Sequence, residues 1–253
     1  MIAILDIAAN VGFDGVEIWG RAPHMCELYD ADYVSKLKDE VTKRGLELSM
    51  FGSYLYANSE RFGEELPVAL KIAQGLGAPI MRTWAANQGS GEATEALWEV
   101  SARNFKQLCK RAKDLGIDIA IERHASTLAD EIDSALKFID MVGADNLKVN
   151  YQVAEHENDE AVAEGIEKLG YRVVNVHAHN FIRTPSGVDG TAISEGIIDY
   201  RRLVEKLRVY GFSGFIEVEF VRRPGITELP IDERTKELCR DYEFLRAITR
   251  GAR

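Results

Sequence analysis

The segment AKDLGIDIAIERH, residues 112–124, decides the fold. A helical pattern ends in it at Gly116, and a short run with an isoleucine at every second position follows. In a β-strand this alternation directs the isoleucines to one face and the side chains of Glu122 and His124 to the other. The segment therefore predicts a helix, a glycine stop and a strand that ends in charged and imidazole side chains.

The same unit recurs along the chain. Seven helical patterns end at a glycine that suits the left-handed position after a helix: Gly12, Gly45, Gly77, Gly116, Gly143, Gly170 and Gly211. Seven strands follow them, reading GVEIWG, LELSMFG, PIMRTWA, IDIAIERH, LKVNYQ, RVVNVHAH and GFIEVEF. Alternating helices and strands predict βα units and a parallel sheet. We predict an α/β fold, a (β/α)₈ TIM barrel, as a single domain over residues 1–253, with an open doubly wound sheet as the competing architecture.

One strand of the barrel is missing from this count. The chain begins in a helical pattern, where a complete barrel would first have a strand. We therefore expect seven strands and no first strand, either because the sequence begins after it or because the barrel is incomplete.

Polar side chains occupy the same parity of several strands and gather towards their carboxyl ends. The residues that the alternation directs inward are Glu17, Trp19, Glu122, His124, Asn150, Gln152, Asn175, His177, His179, Glu217 and Glu219. In a (β/α)₈ barrel the carboxyl ends of the strands form the active-site face. An open sheet gives no reason for acids and imidazoles from distant strands to collect, so this pattern favours the barrel.

Composition limits the classes of partner. With 31 Lys and Arg against 41 Asp and Glu, the formal net charge is −10, which disfavours nucleic acid and anionic membranes as partners. The Arg222–Arg223 pair is too short to change this. The three cysteines are widely spaced, which predicts a reducing compartment without a disulfide framework. Neither a signal peptide nor a membrane-spanning run is evident, so we expect a cytoplasmic protein.

Four of the inward residues suit a metal ion. Glu122, Gln152, His177 and Glu219 lie at the ends of four successive strands, and their carboxylate, amide and imidazole groups suit Mn²⁺, Co²⁺, Mg²⁺ or Zn²⁺. Around this predicted metal site we expect substrate-binding residues, which are Glu17, Trp19, Arg82, Trp84, His124 and His179. Each has a simpler interpretation as well, because aromatic rings pack and a buried arginine can serve only to pair a carboxylate.

The sequence also resembles a known family. The stretches GFDGVEIWG, IAIERHASTLAD, VNVHAHN and GFSGFIEVEF are similar, in order, to those of the xylose-isomerase-like TIM barrels. The resemblance implies a metal held by Glu, Asp, His and Glu, with Glu122, His177 and Glu219 in three of these roles. Gln152 stands where the family has its Asp, and Glu155 stands where a His often follows. We therefore expect Gln152 to be a weak ligand.

The resemblance implies a metal-dependent isomerase or epimerase of a sugar or polyol. Enolisation needs a base, an acid and a cation beside the carbonyl, and Glu122 and Glu219 are the predicted catalytic pair. A lyase or dehydratase, a C-glycoside-cleaving subunit and a non-catalytic barrel subunit remain alternatives. A nuclease of the endonuclease IV kind is disfavoured by only five histidines and by the acidic charge. We expect a small-molecule substrate, no nucleic acid or membrane partner, and an oligomer.

Overall fold

The computed structural model describes residues 1–25, 30–221 and 224–250. Cys26 and the Arg222–Arg223 pair, considered above, lie outside the described residues. The chain divides into two compact units, Met1–Asn150 and Tyr151–Arg253. The prediction of a single domain stays a prediction, and each unit is described by itself below.

The first unit alternates helices and parallel strands. Its elements are α1 Ile2–Val11, β1 Gly15–Trp19, α2 Ala31–Lys43, β2 Glu47–Tyr56, α3 Phe62–Leu76, β3 Ile80–Trp84, α4 Glu95–Lys113, β4 Asp118–Glu122, α5 Ile132–Val142 and β5 Leu147–Gln152, of which the last two residues belong to the second unit. Each strand pairs in parallel with the next one along the chain.

The second unit contains a parallel strand pair and a separate hairpin. Its elements are α6 Asp159–Leu169, β6 Val173–Ala178, β7 Asn180–Thr184, β8 Gly187–Thr191, α7 Tyr200–Val209, β9 Phe215–Val218 and α8 Ile231–Arg250, with 3₁₀ turns at Gly170–Arg172 and Ile226–Glu228. Strand β6 pairs in parallel with β9, and β7 pairs with β8 in antiparallel fashion. The hairpin was not predicted, because its short polar strands carry no regular alternation of apolar residues.

The fold class predicted from the sequence is confirmed. Within the described residues, seven parallel strands are hydrogen-bonded in the order β1-β2-β3-β4-β5-β6-β9, which is the order along the chain once the hairpin is set aside. These are the seven strands read from the sequence, each preceded by a helix. The architecture is that of the α/β TIM-barrel class, with seven parallel strands among the described residues.

Local chemistry explains where the helices begin and end. All seven predicted stop glycines have a positive φ, a conformation that costs other residues strain. Several helices begin at a side chain that accepts backbone N–H groups, as Asp30 does for α2, Thr94 for α4 and Asn158 for α6.

Strand β4 is covered on both faces, as is typical of parallel sheets. Ile119 and Ile121 are fully buried, and so are Ala120 and Glu122 on the opposite parity. In the helical layer of the same unit, the rings of Phe105 and Phe138 meet edge to face, 4.9 Å apart. Within the residues that the structure describes, no helix combines the length and apolar composition needed to cross a membrane.

Candidate functional site

Arg82 is a fully buried arginine of the first unit, with 1% of its surface exposed. It lies on β3, and its neighbours in register on β2 and β4 are Gly52 and Ala120. Because both neighbours are small, the sheet leaves room for the guanidinium on that face. A hypothetical Cβ at Gly52 would lie 2.8 Å from Glu17 Oε1 and would collide with Arg82 Nη2. The position of the Arg82 side chain therefore requires a glycine at residue 52.

Two carboxylates share the Arg82 guanidinium. Its Nε donates a hydrogen bond of 2.8 Å to Glu17 Oε1, and its Nη1 donates a very short one to Glu122 Oε2. The three side chains are between 2% and 5% exposed. We call Glu17, Arg82 and Glu122 the arginine–carboxylate cluster. Burial in such a cluster is tolerated because each charge meets an opposite one with a directed hydrogen bond.

The cluster is extended and fixed by Trp19. The indole Nε1 of Trp19 donates a 2.8 Å hydrogen bond to Glu17 Oε2, so both oxygens of Glu17 are engaged. Burial by itself lowers the pKa of Arg82, but the charges of Glu17 and Glu122 outweigh it and raise this pKa above its ordinary value. Arg82 is therefore a permanent cation beside Glu122.

Aromatic rings surround the guanidinium. Arg82 Cζ lies 5.4 Å from the centre of the Tyr54 ring and 5.6 Å from that of Trp84, within cation–π distance. The Trp84 ring stacks on Tyr56 at 5.8 Å and meets the edge of His124 at 4.9 Å. Trp84 is 8% exposed, and its buried Nε1 has no hydrogen-bond partner among the described residues.

Tyr54 was missed by the sequence reasoning. It sits in β2 with a φ of 55°, which is rare for a bulky residue and marks local strain. The β2–β3 register shifts between Gly52 and Tyr56, so the irregular backbone brings Tyr54 over the guanidinium. No local sequence signal encodes a left-handed tyrosine.

The loop after β1 adds two further groups that the sequence reasoning missed. The Arg21 guanidinium lies 4.2 Å from the Tyr54 ring centre and 5.1 Å from that of Trp19. His24 stacks on Trp19 at 5.1 Å, and its Nδ1 accepts a 3.1 Å hydrogen bond from the Trp19 backbone N–H. Burial lowers the pKa of His24, although the charge of Glu17 opposes this.

The residues after β4 differ in their environment. His124 is half-buried, and its Nδ1 lies 2.8 Å from the carbonyl oxygen of Ala125. Arg123, which the alternation directs away from the pocket side, is only 2% exposed. The first unit therefore brings together six predicted residues, which are Glu17, Trp19, Arg82, Trp84, Glu122 and His124.

The second unit brings together three others. His177 Nδ1 is 3.5 Å from Glu219 Oε1, and His179 Nδ1 is 3.8 Å from Glu219 Oε2. His177 is 0% and His179 2% exposed, and the Glu219 side chain is 8% exposed. We call these residues the histidine–carboxylate group. In contrast to the arginine–carboxylate cluster, the distances from the Glu219 oxygens to these two imidazole nitrogens exceed the usual hydrogen-bond distance of about 2.7–3.2 Å.

The backbone around this group is held closely. A Cβ at Gly214 would collide with the carbonyl oxygen of Val174, so glycine permits β9 to approach β6. The buried Tyr200 hydroxyl accepts a 3.1 Å hydrogen bond from the His179 N–H and donates a 2.7 Å one to the His179 carbonyl. The side chain of Asn180, next in sequence, donates to the carbonyls of Ile193 and Ile198 at 2.8 Å.

The histidine–carboxylate group fits a divalent cation. Glu219 Oε2 is buried and has no hydrogen-bond partner in the described part of the chain. Two ligand atoms that each lie about 2.1 Å from one ion are separated by about 3.0–3.4 Å, close to the 3.5 Å between His177 Nδ1 and Glu219 Oε1. Imidazole and carboxylate are ordinary ligands of Mn²⁺, Co²⁺ and Zn²⁺.

Three further polar residues lie in or shortly after strands β5 and β9. Gln152, the predicted weak ligand, ends β5 and is 8% exposed. Glu155, which stands where the motif resemblance implies a histidine, is exposed. Glu217 lies within β9, where its Cα is paired in register with that of His177. The individual roles predicted for the site residues stay predictions.

Comparison with known proteins identifies the family. The family described as xylose isomerase-like TIM barrel matches residues 5–248 of this chain. The chain belongs to this family. The resemblance read from the sequence motifs is thereby confirmed. Xylose isomerase-like TIM barrels include epimerases and dehydratases among the relatives of this chain.

The relatives of this xylose isomerase-like protein have low sequence identity to it, but the similarity extends over most of each chain. It is 23% identical over 231 residues to the 3-dehydroshikimate dehydratase of Bacillus anthracis, covering 81% of this chain and 80% of that one. It is 23% identical over 234 residues to the fructoselysine 3-epimerase of Escherichia coli O157:H7, covering 85% and 83%. A solved xylose isomerase-like TIM barrel protein from Mycobacterium smegmatis, in complex with magnesium, shares the fold with a TM-score of 0.74, 16% identity and coverage of 100% and 89%.

Proposed function

We propose that this protein is a divalent-metal-dependent isomerase or epimerase that acts on a sugar or polyol by enolisation. The observation that carries the proposal is the histidine–carboxylate group, in which Glu219 lies 3.5 Å from His177 with one buried oxygen that lacks a hydrogen-bond partner among the described residues. Membership of a family with epimerase and dehydratase relatives supports it.

The proposed ligands are those that the sequence predicts. His177 and Glu219 are the principal ones, and Glu122 and the neutral amide of Gln152 complete the set. The protein from Mycobacterium smegmatis in complex with magnesium supports a divalent ion. Because an amide oxygen carries no charge, we expect moderate affinity and sensitivity to chelators.

The proposed chemistry is proton transfer beside a carbonyl. The cation, when bound, would withdraw charge from the substrate oxygens. Glu122 would take the proton from the carbon next to the carbonyl, and the hydrogen bond from Arg82 Nη1 would orient its carboxylate. Epimerisation returns a proton to the opposite side of the same carbon, and we assign this step to Glu219. No oxidant or other reactant is consumed.

The arginine–carboxylate cluster and its aromatic neighbours are the proposed substrate contacts. Trp19 and Trp84 would contribute aromatic surface, and Trp84 Nε1, which has no hydrogen-bond partner among the described residues, would donate to a substrate oxygen. The half-buried His124, against the Trp84 ring, would hydrogen-bond a hydroxyl. Glu17 and Arg82, which are also proposed substrate contacts, would border the same position. The oligomeric state and the cytoplasmic location stay predictions.

A dehydratase is the second candidate, and the relative from Bacillus anthracis favours it. The same proton abstraction would then be followed by loss of a β-hydroxyl as water, with Glu219 or His124 giving the leaving group its proton. The two reactions differ in product, because only the dehydratase forms a new carbon–carbon double bond.

Solvent-deuterium exchange tests the proposal. Protein loaded with Mn²⁺ or Co²⁺ is incubated in D₂O with a panel of ketoses, aldoses and inososes, and the products are analysed by NMR and mass spectrometry. We expect one substrate to take up deuterium at the carbon beside its carbonyl. An isomerase or epimerase keeps the substrate mass apart from the deuterium, whereas a dehydratase product is lighter by one water.

Variants assign the exchange to the site. Glu122→Gln and Glu219→Gln should each slow it by about 10²–10⁴-fold, the usual effect of losing a positioned acid or base. Glu195→Gln is the matched control, because this glutamate is exposed and pairs with Arg240 on the surface. Absence of exchange and of product across the whole panel would refute the enolisation proposal and favour a non-catalytic barrel.

A further inference from the structure

The Glu122 carboxylate is already paired with a cation, the Arg82 guanidinium. Its Oε2 accepts the very short hydrogen bond from Arg82 Nη1, and both side chains are 2% exposed. A buried carboxylate that serves two cations divides its charge between them. The guanidinium therefore opposes a second cation at Glu122, through repulsion and through its hold on one oxygen.

Glu17 shares the Arg82 guanidinium with Glu122. The Nε of Arg82 donates to Glu17 Oε1 at 2.8 Å, and the other oxygen of Glu17 is held by Trp19 Nε1 at 2.8 Å. Glu17 thus offsets part of the arginine charge from a fixed position. Gly52 leaves the space in which this shared arrangement exists.

We infer that Arg82 is a positioning residue that competes with the divalent cation for Glu122, and that Glu17 tunes this competition by sharing the arginine. The inference rests on the proposed function, since it assumes that Glu122 is a ligand. It predicts opposite effects for two substitutions within one hydrogen-bonded chain. Removing Arg82 strengthens the binding of the divalent cation. Neutralising Glu17 strengthens the interaction of Arg82 with Glu122 and therefore weakens the binding of the divalent cation.

The experiment measures Co²⁺ and Mn²⁺ affinity of the metal-free protein by calorimetric titration. Arg82→Met should raise the affinity about tenfold and Glu17→Gln should lower it by a similar factor, which is the lower end of the roughly 10–100-fold effects known for groups hydrogen-bonded to metal ligands. In the double variant, Glu17→Gln should change the affinity less than about twofold, because the arginine through which it acts is gone.

Arg44→Met is the matched control. Arg44 also bridges two carboxylates, Asp6 at 2.7 Å and Glu40 at 2.6 Å, and it does so on the surface of the same unit. Its replacement should leave cation affinity unchanged. Thermal unfolding of each metal-free variant shows whether it is folded, and Glu17→Gln, a neutral substitution of equal size, carries the test if Arg82→Met does not fold.

The outcomes separate this inference from the proposed function. The inference is supported if Arg82→Met and Glu17→Gln shift the cation affinity in opposite directions and these shifts are not additive in the double variant. Shifts in the same direction, additive shifts, or shifts no larger than that of Arg44→Met overturn it while the metal site stands. If neither the wild type nor any variant binds either ion, the metal-dependent function is refuted together with the inference.

Discussion

The arginine–carboxylate cluster and the histidine–carboxylate group are both buried and charged, yet they are satisfied differently. In the first, Arg82 donates directed hydrogen bonds to Glu17 and Glu122. In the second, Glu219 lies 3.5 and 3.8 Å from two imidazole nitrogens. The difference teaches that the first contains its own cation, whereas the second consists of candidate ligand groups for a divalent cation.

The contrast has consequences for stability. A buried charge that has lost its partner costs several kcal/mol, so removing one member of the arginine–carboxylate cluster should destabilise the fold. A carboxylate with an unsatisfied buried oxygen contributes little to folding and can be retained for function. Substitutions in the two regions should therefore differ in their effects on unfolding.

The largest effect is expected for Arg82→Met. This change leaves Glu17 and Glu122 buried without their shared cation, and the free energy of unfolding should fall by about 3–5 kcal/mol. Urea denaturation measures it. The partly exposed bridge at Arg44 is the comparison, and Arg44→Met should cost less than about 1 kcal/mol. Equal losses for the two variants would contradict the account.

A smaller loss is expected for Gly52→Ala. The added methyl group would collide with Arg82 Nη2 and lie 2.8 Å from Glu17 Oε1, so the cluster must shift. Such overpacking typically costs about 1–3 kcal/mol. Gly91→Ala is the control, because a Cβ there meets nothing within 4 Å. A Gly52→Ala variant as stable as this control would show that the cluster adapts freely.

The titration of His24 should have a modest effect. Burial lowers its pKa below the ordinary 6.5, and among the charged groups around it Glu17 opposes this shift while Arg21 and the N-terminus add to it. The unfolded chain therefore binds a proton first, so stability should fall as the pH decreases through about 6.5 and level off below the folded-state pKa. Denaturation between pH 8 and pH 5 checks this.

His24→Asn provides the control for this titration. Asparagine can still accept the hydrogen bond from the Trp19 N–H, but it does not titrate. This variant should lose part of the pH dependence and keep stability at pH 8. A pH profile identical to that of the wild type would assign the effect to other groups.

The smallest effect on folding is expected for Glu219→Gln. Because Glu219 Oε2 has no hydrogen-bond partner among the described residues, neutralising this side chain removes a buried charge at little cost. We expect no net loss in the unfolding free energy of the metal-free protein, in contrast to Arg82→Met. A loss of several kcal/mol would mean that the histidine–carboxylate group is a structural ion pair.

The sequence predicted the elements better than their irregularities. Helix stops at glycine and alternating strands are local signals, and all seven strands and all seven positive φ values were found as expected. The β7–β8 hairpin was missed because its strands lack an apolar face. Tyr54 was missed because its positive φ arises from the β2–β3 pairing and not from its neighbours in sequence.

The sequence indicated candidate residues of the site but not the hydrogen bonds between them. Strand parity selected Glu17, Glu122 and Glu219 as inward-facing candidates, and their roles stay predictions. The sharing of Arg82 between two carboxylates depends on the register that aligns Gly52, Arg82 and Ala120, and register between distant strands cannot be read from one sequence. The same limit applies to the 3.5 Å distance between His177 and Glu219.

The central claim is that the histidine–carboxylate group binds a divalent cation, and calorimetric titration of Co²⁺ into the metal-free protein tests it most directly. We predict one ion per chain for the wild type and for His156→Ala, in which an exposed histidine of the same unit is replaced. His177→Ala should abolish this binding while the protein remains folded. A wild type that binds no ion, or His177→Ala protein that binds it as tightly as the wild type, would contradict the account.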